Sequence, residues 1–353
     1  MGNPAQDTVR KRRRAFLGAT SGHLIEWYDY GVYGFLAVYI GQAFFVSDDP
    51  TTSLLASFAA FALSFFIRPL GGLFFGPLAD KIGRRKTLIM ALVMMTGSTV
   101  MLGLLPTYAS LGIAAPILLI LVRCVQGFSA GGEIGTVTSF ISEYAGPGRR
   151  GFATCWLMVT AVLGLLLGGA VANGMTWVLG AEVMQEWAWR VPFLIAAPLG
   201  FISMYIRLKL EDSPEFLALQ RAGQTSRAPL REVWQWKRAI ALVFFIITLH
   251  SSIFYLVLTF ASTYMAKILK FDSGTTLLYV FVASFSAAFV MPFGGAFTDK
   301  YGRKPFLMVI GTLATLAMFW LFKSAPTATP ATFFAPLMAV AILFGLYASS
   351  TYA

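Results

Sequence analysis

The chain has 353 residues, and its composition is that of a protein surrounded by lipid. Hydrophobic residues make up 57% of it, charged residues only 12%, and the mean hydropathy is +0.71. Soluble proteins carry about 25% charged residues, so this chain has too few charges to cover a water-facing surface. A soluble enzyme and a disordered regulator are therefore excluded, and the formal net charge of +11 must be explained by where the basic residues lie.

Ten apolar segments follow one another along the chain, separated by short polar connections. Crossing a bilayer core takes about 20 helical residues. The segments cover residues 15–46, 52–79, 87–105, 112–142, 152–179, 189–210, 239–268, 275–298, 305–323 and 330–353. We predict an all-α integral membrane protein with about ten transmembrane helices. The polar stretch 211–238 is the longest connection, so it is expected to be a cytoplasmic loop between a six-helix bundle at 1–210 and a four-helix bundle at 239–353.

The basic residues are concentrated in alternate connections. They lie mainly within 10–14, 81–86, 149–150, 207–238 and 300–304, and Arg207 is counted among them as part of the sixth connection. This distribution follows the positive-inside rule and predicts a cytoplasmic N-terminus in the cell membrane. The net charge is thus a topology signal, and we expect lipid but no nucleic acid as a partner.

One loop pattern occurs twice. Gly76, Asp80, Gly83 and Arg84 end the second segment, and Gly295, Asp299, Gly302 and Arg303 end the eighth with the same spacing. A tight turn between helices needs Gly for its backbone angles. The Asp can pair with the cations across its turn or bind the N-terminus of a neighbouring helix. The repetition predicts two related halves with a conformational loop in each.

This loop resembles the signature loop of the major facilitator superfamily, and further stretches resemble its metabolite:proton symporter subfamily. They are 21–29 (Ser-Gly-His-Leu-Ile-Glu-Trp-Tyr-Asp), 68–72, 123–133, 189–193 and 213–216. The resemblance covers residues 15 to 310 and implies a two-bundle transporter. Two departures stand out. His23 occupies a position where the subfamily commonly has Asn, and ten helices instead of twelve imply an incomplete C-terminal bundle.

Five ionisable residues lie inside the predicted helices, where charge is costly and usually functional. They are Glu26, Asp29, Arg68, Arg123 and Glu133. Three carboxyl groups face two guanidinium groups, so at least one acid lacks a full counter-ion and can carry a proton. We therefore predict proton coupling by Glu26, Asp29 or Glu133 and substrate binding by Arg68 and Arg123. A fixed salt-bridge network that only orients helices is the alternative for each acid.

Aromatic residues accompany these charges. Trp27 and Tyr33 flank the acids of the first segment, and Tyr255 lies on the seventh. They are predicted to line the substrate pocket, although ordinary packing would also explain them. His23, one helical turn before Glu26, is titratable near neutrality.

These features favour a proton-coupled symporter that imports a small carboxylated metabolite, such as a di- or oxo-carboxylate, by alternating access. A zwitterionic osmolyte such as proline or betaine is the alternative substrate, because an arginine and aromatic rings suit its two charges. A membrane sensor built on a transporter scaffold is an alternative of another class. The sequence contains no phosphate loop, metal-ligand cluster or nucleophilic triad, so we expect no enzyme activity, no cofactor and no metal. A monomer is expected.

Overall fold

The computed structural model describes residues 4–146, 148–222 and 235–352, and the regular elements in these ranges are helices. The ten long helices are α1 (Pro4–Phe44), α2 (Pro50–Ile82), α3 (Arg84–Leu104), α4 (Ala114–Ala145), α5 (Arg150–Glu186), α6 (Val191–Leu208), α7 (Lys237–Tyr255), α8 (Ser273–Tyr301), α9 (Arg303–Ser324) and α10 (Pro330–Thr351). Each corresponds to one predicted segment. Helix α7 continues through Ile268 with two short π-helical stretches.

Nine of the helices in the described residues are long and apolar enough to cross a membrane, namely α2 to α10. The remaining helix, α1, is 41 residues long and contains Glu26, Asp29 and several tyrosines, which lower its hydropathy. Large apolar side chains such as Phe66 on α2, 78% exposed, cover outward faces as lipid contact requires. The predicted all-α membrane architecture is confirmed.

Corresponding helices in the two halves begin in the same way. Asp49 precedes α2 and accepts a hydrogen bond from the Thr51 amide at 2.9 Å, and Asp272 precedes α8 and accepts one from the Thr275 amide at 2.9 Å. These caps satisfy amide groups that a helix N-terminus leaves open. They also place acidic groups at the ends of α2 and α8 that are opposite to the basic ends.

The chain divides into two compact units. One comprises residues 1–144 and 163–230, and the other comprises 145–162 and 231–353. The division at 230/231 falls inside the predicted connection 211–238, and the start of α5 is grouped with the second unit. Residues 214–221 of that connection form a short helix, whereas its residues 223–234 lie outside the described residues.

Helix α1 is the central helix of the first unit. It packs against α2, α3 and α6, and its C-terminal half is embedded in an apolar core that includes Val32, Leu36 and Phe44. The Tyr28 hydroxyl donates to the Pro192 carbonyl at 2.7 Å and joins α1 to α6 within this core. The part of α1 that carries the predicted acids is thereby enclosed by other helices of the same unit.

Candidate functional site

Three arginine–carboxylate pairs lie inside the first unit. Arg68 of α2 contacts Glu26 at 3.2 Å, Arg123 of α4 contacts Asp29 at 3.1 Å, and Arg207 of α6 contacts Glu133 at 2.5 Å. All three carboxylates and two of the arginines are buried, whereas the Arg68 side chain is 20% exposed. Burying a charge is costly unless it is paired, so the pairing explains how these groups can lie inside a membrane protein.

The helical repeat brings the partners together. Glu26 and Asp29 are three residues apart and lie on neighbouring positions of one α1 face. Arg123 and Glu133 are ten residues apart on α4, close to three turns, so they share the face that the sequence predicted. This face of α4 meets α1, with Arg123 bonded to Asp29 and Glu133 beside Gly22.

The Asp29 pair belongs to a closed hydrogen-bond network. Arg123 Nη1 donates to Asp29 Oδ2 at 3.1 Å and to Gln126 Oε1 at 2.7 Å. Gln126 Nε2 donates to Asp29 Oδ1 at 3.1 Å and to the Thr99 hydroxyl at 2.9 Å. Both oxygens of Asp29 are therefore occupied. The pattern of residues pointed to Arg123 and Asp29, but not to Thr99 as the support of Gln126.

The pair formed by Arg207 corrects the charge count made from the sequence. Arg207 is fully buried in α6 and does not belong to the exposed basic connection to which we assigned it. Its guanidinium donates to the carbonyls of Gly18, Leu88 and Ala19 at 2.9, 2.6 and 3.5 Å, in addition to Glu133. Among the described residues, the buried pairs of the first unit thus comprise three carboxylates and three guanidinium groups, whose formal charges cancel.

Gly22 makes room for this third pair. A Cβ atom at position 22 would overlap Nη2 of Arg207 and would lie 2.9 Å from Oε1 of Glu133. The small residue one turn before Glu26 therefore lets the pair approach the backbone of α1. Glycine at position 22 was part of the motif that carried the family resemblance, but the sequence alone did not show which side chains it accommodates.

Aromatic rings of α1 and α2 contact the arginines of two pairs, Arg123–Asp29 and Arg68–Glu26. The Tyr33 ring lies 3.4 Å from the guanidinium carbon of Arg123 and stacks on Phe61 with a centroid distance of 5.3 Å. The Arg68 guanidinium lies over the rings of Tyr30 and Phe65 at 4.7 and 4.6 Å. Cations are attracted to aromatic faces, so these rings support both arginines.

The remaining predicted pocket residues have more ordinary contacts. Trp27 Nε1 donates to His23 Nε2 at 3.2 Å, which places His23 within α1 packing. Tyr255 lies at the end of α7 in the second unit and packs edge-on against Phe254, with 37% of its surface exposed. Its role in the pocket stays a prediction.

The repeated loops have the same backbone geometry. Gly83 and Gly302 have φ angles of 102° and 89°, and their amides donate to the carbonyls four residues earlier. Both positions therefore require glycine. Gly76 lies in α2 with open space around its Cα, and Arg303 is the exposed first residue of α9.

The aspartates of the two loops have different partners. Asp80 contacts Arg84 at 2.5 Å, and Arg84 also contacts Glu143 at 3.1 Å. Asp299 accepts hydrogen bonds from the Gly151 and Phe152 amides at 2.7 and 2.8 Å, at the start of α5. Both alternatives considered from the sequence thus occur, one in each unit.

Comparison with known proteins decides the family. The family model of the Major Facilitator Superfamily matches residues 19–353. The chain belongs to this superfamily. It is 37% identical over 319 residues to the proline/betaine transporter of Salmonella typhimurium (strain LT2), covering 87% of this chain and 63% of that protein. It is 34% identical over 306 residues to the citrate-proton symporter of Klebsiella pneumoniae, covering 87% of this chain and 68% of the relative.

The fold of this major facilitator protein also matches a solved structure. The proton:xylose symporter XylE bound to 6-bromo-6-deoxy-D-glucose superposes with a TM-score of 0.81 at 16% identity, covering 98% of this chain and 82% of the other. The chain spans less than two thirds of the length of the proline/betaine transporter. The relatives are transporters rather than enzymes, and the predicted superfamily, fold class and multi-pass membrane character are confirmed.

Proposed function

We propose that this major facilitator protein is a proton-coupled symporter that moves a small carboxylate-bearing solute across the cell membrane by alternating access. Its N-terminus lies in the cytoplasm. The observation that carries the proposal is the Glu26–Arg68 pair, whose arginine alone among the three buried pairs reaches an exposed surface. The names of the proline/betaine and citrate relatives support a solute with at least one carboxylate.

Charge balance supplies the coupling. The three buried pairs that the described residues form contain three carboxylates and three guanidinium groups, so they are formally neutral before the solute binds. A solute carboxylate that binds here brings one negative charge next to these pairs, whatever charges the rest of the solute carries, in a region where an uncompensated charge is costly. One proton taken up by a neighbouring carboxylate offsets that local charge, so solute and proton are bound together and released together.

Glu26 is the acid best suited to carry that proton. Its Oε2 has no hydrogen-bond partner in the described part of the chain, whereas both oxygens of Asp29 are occupied. Protonating Glu26 leaves Arg68 with access to solvent. Glu133 also has an unpaired oxygen, but protonating it would leave the fully buried Arg207 without an anion. In this scheme Asp29 and Glu133 remain ionised and hold their arginines in place.

The site chemistry is compatible with both substrate classes considered from the sequence. Arginine matches the two oxygens of a carboxylate in an organic acid or in a zwitterion. The aromatic residues Trp27, Tyr30 and Tyr33 of the first unit would offer ring faces to the ammonium of a zwitterion. We propose a carboxylated metabolite first, and proline or betaine as the second candidate because the relative with 37% identity transports them by name.

The test is uptake by the full-length protein in proteoliposomes. Labelled citrate, α-ketoglutarate, proline and glycine betaine are supplied with and without an imposed inward proton gradient. We expect accumulation of at least one of them only with the gradient. Glu26→Gln should abolish gradient-driven accumulation while solute exchange between the two sides continues, because the glutamine cannot release a proton.

Glu182→Gln is the matched control, since Glu182 is exposed near the end of α5. This variant should accumulate solute like the wild type. Gradient-driven accumulation by Glu26→Gln at the wild-type level would remove Glu26 from the proton path. Absence of any gradient dependence in the wild type would contradict symport itself.

A further inference from the structure

One edge of the Arg123 guanidinium is unused although the side chain is fully buried. Nη1 donates to Asp29 and to Gln126, which accounts for both of its hydrogens. Nε and Nη2 have no hydrogen-bond partner in the described part of the chain. A buried donor without a partner costs free energy, so this edge calls for an acceptor that arrives from outside the protein.

The shape of this edge specifies the acceptor. The Nε–H and one Nη2–H of arginine are parallel and spaced to match the two oxygens of one carboxylate. The plane of the guanidinium is fixed in advance by the Tyr33 ring at 3.4 Å and by Gln126, which is itself held by Thr99. A donor pair held in position binds without losing side-chain freedom.

Arg68 differs from Arg123 in its exposure and in the use of its Nε/Nη2 edge. Its Nη2 donates to Glu26 at 3.2 Å, so its Nε/Nη2 edge is already partly occupied, and its side chain is 20% exposed. It also lies over the rings of Tyr30 and Phe65. These properties suit a side chain that moves away when Glu26 is protonated.

We propose that the two arginines have different roles. The Nε/Nη2 edge of Arg123 binds one solute carboxylate, whereas Arg68 is the counter-ion that Glu26 releases when it takes up a proton, and it does not bind the solute. This inference rests on the proposed symport. It defines the substrate class as solutes with one required carboxylate, so a second carboxylate is tolerated but contributes no essential contact.

The first test compares Arg123→Lys and Arg68→Lys. Equilibrium binding of citrate, α-ketoglutarate, proline and glycine betaine is measured on the detergent-solubilised full-length protein. Arg123→Lys should weaken binding about 10-fold to 100-fold, the range expected for a lost charge-assisted hydrogen bond. Arg68→Lys should retain the wild-type dissociation constant while shifting the pH dependence of uptake. Arg221→Lys, at an exposed position, is the matched control.

The second test separates ligand contact from a general structural defect. Each solute is compared with its carboxamide in the wild type and in both variants. Replacing the only carboxylate of proline or glycine betaine should weaken binding strongly in the wild type and in Arg68→Lys, but much less in Arg123→Lys. Replacing one carboxylate of α-ketoglutarate should have little effect in the wild type. A general structural defect would weaken the binding of a solute and of its carboxamide alike, so it would not produce these patterns.

The possible outcomes separate a failure of the Arg123 assignment from a failure of the proposed symport. If uptake is proton-driven but Arg123→Lys discriminates carboxylate from carboxamide as the wild type does, the assignment of Arg123 is wrong and symport stands. Equal losses in the two lysine variants would overturn the difference in roles. If carboxylate binding depends on Arg123 but no proton gradient drives uptake, the binding assignment stands and the symport proposal fails. A wild type that binds none of the four solutes would overturn the assignment of a carboxylate site.

Discussion

The turn between α2 and α3 and the turn between α8 and α9 share a sequence pattern and a backbone geometry, yet their aspartates make different contacts. Asp80 pairs with Arg84 inside its own turn, and Asp299 caps the first amides of α5. Glycine at positive φ ends the first helix of each pair. A repeated motif therefore determines a turn directly, whereas the partner of its charged residue depends on which helix end lies nearby in the same unit.

The different partners also predict how much each aspartate contributes to the stability of the folded protein. The Asp80 side chain is 39% exposed, and its partner Arg84 has a second anion in Glu143. Asp299 uses both oxygens on two main-chain amides that have no other partner within a helix. An exposed ion pair contributes little, while a charged cap combines hydrogen bonds with a favourable helix dipole.

The largest losses of stability are expected when either turn glycine is replaced, because its backbone angles are the feature that the two loops share. Gly83→Ala and Gly302→Ala should each cost about 1 to 3 kcal/mol, because the backbone angles of both glycines lie in a region that is essentially restricted to glycine. Gly83→Ala should cost more, since its Cβ would overlap Oδ2 of Asp212 whereas nothing lies within 4 Å at position 302. Thermal unfolding in detergent measures both. An equal loss would show that Asp212 moves aside freely.

The next effect tests the cap. Asp299→Asn removes the charge and one of the two acceptors, and it should cost about 1 kcal/mol. Hydrogen exchange of the first turn of α5 should increase, because one of the Gly151 and Phe152 amides loses its acceptor and the other keeps only an uncharged one. Unchanged exchange there, with the Asp80→Asn variant as the comparison, would contradict the capping role.

Much of the fold could be predicted from the sequence because the signals were local. Apolar length defines membrane helices whatever surrounds them, and all ten predicted segments correspond to helices. The glycine turns at positions 83 and 302 were predictable for the same reason. The start of α1 and the end of α5 were placed too far inward, at residues 15 and 179, since α1 begins at Pro4 and α5 ends at Glu186 in more polar sequence that carries a weaker apolar signal.

The site was only partly predictable. The face shared by Arg123 and Glu133 followed from helical spacing, but the partner of each acid depends on packing between helices. Arg207 was missed because it lies one residue before the end of α6. A long arginine side chain at that position can extend to water or turn inward, and the sequence does not distinguish the two directions.

The smallest effect is expected from Asp80→Asn. Arg84 retains Glu143 as a partner at 3.1 Å, and an exposed pair contributes about 0 to 1 kcal/mol, so the change in thermal stability should be below that of Asp299→Asn. Added salt should reduce the difference from the wild type further by screening the exposed charges.

As a conformational loop residue, Asp80 should affect the kinetics of transport more than stability, and the same Asp80→Asn variant tests this. The maximum rate should fall while the KM is unchanged, because Arg68 lies twelve residues, or about 18 Å of helical rise, away. A raised KM at a normal maximum rate would instead connect this loop to solute binding.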